Sequence, residues 1–65
     1  MKDVNGTPIE SKDKIRLMYP PFKGRLAEVV DLLPMANEVV AIINGYDLRT
    51  WSSPLTVKVV SKHKG

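Results

Sequence analysis

Apolar and polar residues alternate along most of this chain, and turn-forming residues interrupt the alternation at short intervals. Over residues 14–19, Ile15, Leu17 and Tyr19 fall on one face, while Lys14, Arg16 and Met18 fall on the other. That period of two predicts a half-buried strand with a basic outer face. Pro20 and Pro21 stop it, because neither can donate to a ladder. Residues 25–33 are rich in Leu and Val. Leu26, Val29, Val30 and Leu33 also fit helical spacing, so an amphipathic helix competes here; the paired valines, the short length and the prolines on each side favour a strand. Residues 38–43 carry four β-branched residues among six and predict a third strand. Asn44-Gly45 then reads as a two-residue hairpin turn into a return strand over 46–51. Ser52-Ser53-Pro54 breaks that strand, as a single helical turn. A last strand over 55–60 places Leu55, Val57 and Val59 on one face.

The N-terminal residues 2–9 read as a hairpin-like arm around Asn5-Gly6, with Pro8 confined to an edge position. Glu10-Ser11-Lys12-Asp13 is a polar turn. Residues 61–65 read as a frayed basic tail. Five principal strands in so short a chain predict an all-β fold: a single domain over residues 1–65, formed as a small SH3-like barrel with the arm attached. A closed or nearly closed barrel limits the sheet edges that so small a chain cannot otherwise cover.

Composition narrows the chemistry. At 65 residues and 7.3 kDa the core is near the lower limit for independent folding. There is no cysteine, and the one histidine, His63, lies among the cations of the tail. Neither a thiolate zinc site nor a histidine metal site is expected, and no cofactor. No Gly-rich phosphate loop or nucleophile–base set is present. The serines at Ser52-Ser53 belong to a turn, and Asp13 and Asp47 suit the capping of backbone amides. Glu28 and Asp31, three apart on a regular strand, point to opposite faces and make no acid–base pair. The chain is therefore expected to bind rather than catalyse, with no small-molecule substrate and no membrane partner. A cytoplasmic location is the expectation from a first segment that lacks a secretory apolar core.

Ten Lys and Arg against seven Asp and Glu give a net charge of +3, which permits an anionic partner. Lys14, Arg16, Lys23, Arg25 and Arg49 are the candidate phosphate contacts, and Phe22 at the tip of the loop is the candidate base-stacking group. Phe22 has a second reading, as a lid folded back over the barrel end. Lys58, Lys62 and Lys64 are assigned to solubility. Trp51 and Tyr19 read as core, and Tyr46, just after a hairpin turn, as exposed. A separate candidate surface comes from the third strand, which is apolar on both faces. Val39, Ala41 and Ile43 form one of them, to be covered by the N-terminal arm, by Val60 or by another chain. Left uncovered, that strip makes a protein-interaction or homodimer surface.

Asp13-Lys14-Ile15-Arg16-Leu17, followed by Pro21-Phe22-Lys23-Gly24-Arg25-Leu26-Ala27-Glu28-Val29, resembles the KOW motif of SH3-like barrels in NusG-type transcription factors and ribosomal proteins. The match covers roughly a third of the chain. Lys12 and Ala27 occupy the places of the two glycines that bracket the full motif, and Gly24 keeps the glycine between them. The resemblance implies contact with RNA or a ribonucleoprotein surface through Lys14, Arg16, Phe22, Lys23, Gly24 and Arg25.

Overall fold

The computed structural model of the chain describes residues 1–62. Five strands run in the order of the sequence: β1 Lys14–Leu17, β2 Leu26–Leu33, β3 Glu38–Ile43, β4 Leu48–Ser52 and β5 Val57–Ser61, with a 3-10 turn at Pro54–Thr56 before the last. They form one antiparallel sheet in the order β4-β3-β2-β1-β5. The all-β, barrel-like fold expected from the alternation is what the chain adopts, and residues 26–33 are strand, not helix. Among the described residues no helix is long and apolar enough to cross a membrane.

The core gathers the inward positions of every strand except β4. Ile15 and Leu17 of β1, Ala27 and Val29 of β2, Val39, Ala41 and Ile43 of β3, and Val57 of β5 are buried together with Ile9. The proposed surface strip of Val39, Ala41 and Ile43 is thus the inward face of β3, at most 1% exposed, and offers nothing to a partner. Its opposite face is covered at Val40, which stands between Asp31 of β2 and Trp51 of β4. The N-terminal arm takes part in covering the inward face of β3 through Ile9, which is buried in the same core cluster. Its Val4 is exposed and lies along β5, where the Val4 N–H donates to the Val57 carbonyl at 3.1 Å. Val60 is exposed.

A bulge in β2 sets much of this geometry. Val29 pairs with Ala41 and Asp31 with Val40, so Val30 is an extra residue with no opposite number. Such an insertion bends a strand and tightens its twist. It also advances the alternation by one, so Glu28 and Asp31 both fall on the outer face, contrary to the regular-strand expectation. They still form no pair: Glu28 meets Lys14 at 3.4 Å, and Asp31 accepts its neighbour Leu32's N–H at 2.8 Å.

Two buried carboxylates tie the ends of the chain to the sheet. Asp3, 2% exposed, accepts the N–H groups of Asn5 and Thr7 on one oxygen and that of Val59 at 2.7 Å on the other. Burial raises its pKa, but the amides of Val59, Thr7, Asn5 and Gly6 outweigh that and hold it below the ordinary aspartate value. Asp13 is fully buried, accepts the Glu10 N–H at 2.8 Å, and receives the Lys62 ammonium. Lys62 also reaches Glu10 at 3.0 Å and the Pro8 carbonyl at 2.7 Å. The expected frayed tail therefore begins later than residue 61: Ser61 ends β5 opposite Lys14, and Lys62 is anchored. His63 and Lys64 lie outside the described residues.

Candidate functional site

Two surfaces meet at the loop joining β1 to β2, residues 18–25. β1 ends at Leu17, so the alternation that placed Tyr19 inward no longer applies at that residue; Tyr19 is 61% exposed. After the Pro20-Pro21 stop, which contains a cis peptide bond, Phe22 turns back and packs partly buried against the core, the lid reading of that residue. Lys23, Gly24 and Arg25 follow at the surface. The loop closes by N–H groups of Gly24 and Leu17 donating to the carbonyls of Leu17 and Arg25, at 2.7 and 3.0 Å. Gly24 takes φ +83°, the left-handed conformation that glycine adopts without strain.

The first surface is basic and lies on the outer face of β1 and β5. Arg16 stands directly opposite Lys58 on one side and Leu26 on the other. Both cations are exposed, and neither has an acidic partner among the described residues. Like charges in direct cross-strand register cost a little stability, and this pair carries that small penalty. Arg25 precedes Leu26 and places its guanidinium over the Tyr46 ring at 5.2 Å, a cation–π contact. Tyr46 is exposed, as its position after Asn44-Gly45 predicts. The turn is longer than two residues, however: Ile43 pairs with Leu48, leaving residues 44–47 as the loop.

The second surface is a groove between the 19–22 segment and residues 49–53. Trp51 lines it and is 56% exposed, not core. It shares the outer face of β4 with Arg49, while Thr50 faces Ala41 and donates its hydroxyl to that carbonyl. The assignment of Trp51 to the core overlooked this parity, which the sequence carries in the alternation of 48–52.

The six cations and aromatics proposed from sequence are therefore not one site. Arg16, Lys23 and Arg25 lie at the surface around the loop. Lys14 is half-buried and engaged by Glu28. Phe22 serves the core and the groove. Arg49 is in the same cross-strand row as Lys14, through Ile42 and Glu28, but three strand spacings, about 14 Å, away. Lys58, assigned to solubility from the sequence, stands outward beside Arg16, a direction that Val57 and Val59 fix. Among the described residues no group of His, Cys, Asp or Glu could hold a metal ion.

A small, all-β, barrel-like domain with a basic face and an aromatic groove is the class these observations define. No protein-family model matches the chain, and no curated protein matches it. Among solved structures it is similar to a chain of the MjSpt4:Spt5 complex in conformation B, with 30% identity and a TM-score of 0.82 over 89% of this chain and 41% of that one. The same complex in conformation A gives 32% identity and a TM-score of 0.79 over 88% and 42%. The present chain thus spans about two fifths of the length of the chains it matches.

Proposed function

We propose that this chain is a non-catalytic, NusG-like binding module that contacts RNA or a ribonucleoprotein through its basic β1–β5 face. The observation that carries the reading is the juxtaposition of Arg16 and Lys58, two exposed cations in direct register without a carboxylate between them. Lys23 and Arg25 extend the positive strip into the loop, and Tyr46 beneath Arg25 offers an aromatic surface beside it. The partial KOW resemblance of residues 13–29 and the likeness to chains of a complex named for Spt4 and Spt5 support a binding module of transcription-factor type. Contact of this kind neutralises phosphates and releases counterions, so affinity falls steeply with salt.

The test is fluorescence anisotropy of a labelled single-stranded 12-mer RNA titrated with the full chain at several salt concentrations. Three neutralised phosphates give a log–log slope of about −2. Arg16→Glu with Lys58→Glu weakens binding severalfold and flattens that slope. Binding that is insensitive to salt, or unchanged in the double variant, removes the proposal.

A further inference from the structure

The two edges of the sheet are treated differently. β5 has its outer side occupied by the N-terminal arm, through Val4 N–H to the Val57 carbonyl and Val59 N–H to the Asp3 carboxylate. β4 pairs with β3 alone, and among the described residues nothing pairs with its other edge. The groove described above runs beside that edge, lined by five successive residues, 49–53. An unpaired strand presents a row of main-chain donors and acceptors, and an extended chain satisfies them by adding a strand.

The side chains along this edge specify the chemistry of such a chain. Arg49 and Trp51 lie on the same face of β4, two residues apart, and Arg49 is the charged residue lining the groove. No carboxylate among the described residues pairs with it. An added strand projects alternate side chains to that face. We propose that the β4 edge docks an extended acidic segment of another protein, with a carboxylate against Arg49 and an aromatic or branched apolar side chain, two positions along, against Trp51. Tyr19 and the two prolines form the far side of the groove. The net charge of +3 favours an acidic occupant over a second copy of this chain. RNA can stack on Trp51 and Tyr19, but it cannot satisfy the alternating N–H and C=O groups of a strand edge. This site is separate from the Arg16–Lys58 face, so either proposal can fail without the other.

The experiment follows the amide resonances of the 15N-labelled chain during titration with an end-blocked peptide, Ser-Thr-Val-Glu-Val-Trp-Thr. Three comparison ligands accompany it: the same peptide with Lys for Glu, one with Pro at both Val positions, and oligouridylate. The expected result is saturable shifts within residues 48–52 and at Tyr19 and Phe22, slowed hydrogen exchange in β4, and about tenfold weaker binding of the Lys peptide. Arg49→Glu then reverses the preference between the Glu and Lys peptides. Equal binding of the proline peptide overturns strand addition. So does an absence of saturable shifts, oligouridylate saturating the same amides more tightly, or sedimentation showing β4-dependent dimers that Trp51→Ser dissolves.

Discussion

Asp3 joins two segments more than fifty positions apart in the chain by accepting, from within the core margin, the amides of its own turn and of Val59. Asp3→Ala leaves those partly buried donors without their acceptor, and a loss of about 2–3 kcal/mol is expected in urea denaturation. Because the folded state holds the Asp3 pKa below its ordinary value, its contribution is present above about pH 4 and is lost as pH falls through the lowered value. Asp3→Asn, measured alongside the parent, should remove that part of the acid dependence; superimposable pH profiles exclude the assignment. Lys12 illustrates the opposite balance. It takes φ +73° with an exposed side chain, a conformation costly for any residue with a Cβ. Lys12→Gly should therefore raise stability by up to about 1 kcal/mol, after the greater freedom glycine gives the unfolded chain. The place of Lys12 where the KOW motif has glycine was legible in the sequence. The burial of Asp3 was not, because an Asp before Asn-Gly looks the same whether its turn faces solvent or another strand.

At the scale of elements, alternation found all five strands and most of the inward residues. It erred where the period of two breaks. Tyr19 lies beyond the end of β1, and the bulge at Val30 shifts Asp31 to the face of Glu28. Neither the early end of β1 nor the bulge is written in residue types, since both depend on how the sheet bends to close around its core. The two apolar faces of β3 were visible, but not which one the barrel encloses. Neighbouring substitutions separate them. Ile43→Ala should cost about 3 kcal/mol, because Ile43 is 1% exposed and packs in the core. Ile42→Thr, on the half-buried outer face opposite Glu28 and Arg49, should cost less than about 1 kcal/mol. Thermal unfolding of the two variants reads the difference directly; equal losses contradict the assignment of faces.

For the whole molecule, the contacts of Lys62 with Asp13, Glu10 and Pro8 bind the last described residue to the turn before β1. Its hydrogen bond to Asp13, set against the opposing effect of burial and joined by Glu10, raises its pKa above the ordinary lysine value. The stabilisation is complete below about pH 10.4 and declines as pH rises through the raised value. Lys62→Met should destabilise the fold at neutral pH and show a smaller further loss above pH 10 than the parent, read as the urea midpoint across that range. A fall of equal size in both proteins contradicts the role given to the ammonium.

The same contact brings the beginning and end of the described chain together. Lys2 bridges to Pro8, and Lys62 reaches the Pro8 carbonyl from the other terminus. A polypeptide can therefore enter and leave this domain at nearly one spot, like a loop hung from a single peg. The order of the strands in sequence then matters less than their order in space. Joining the ends by a short flexible linker and reopening the chain at Met35, fully exposed in the β2–β3 turn, should yield a rearranged protein that folds to the same five-stranded sheet.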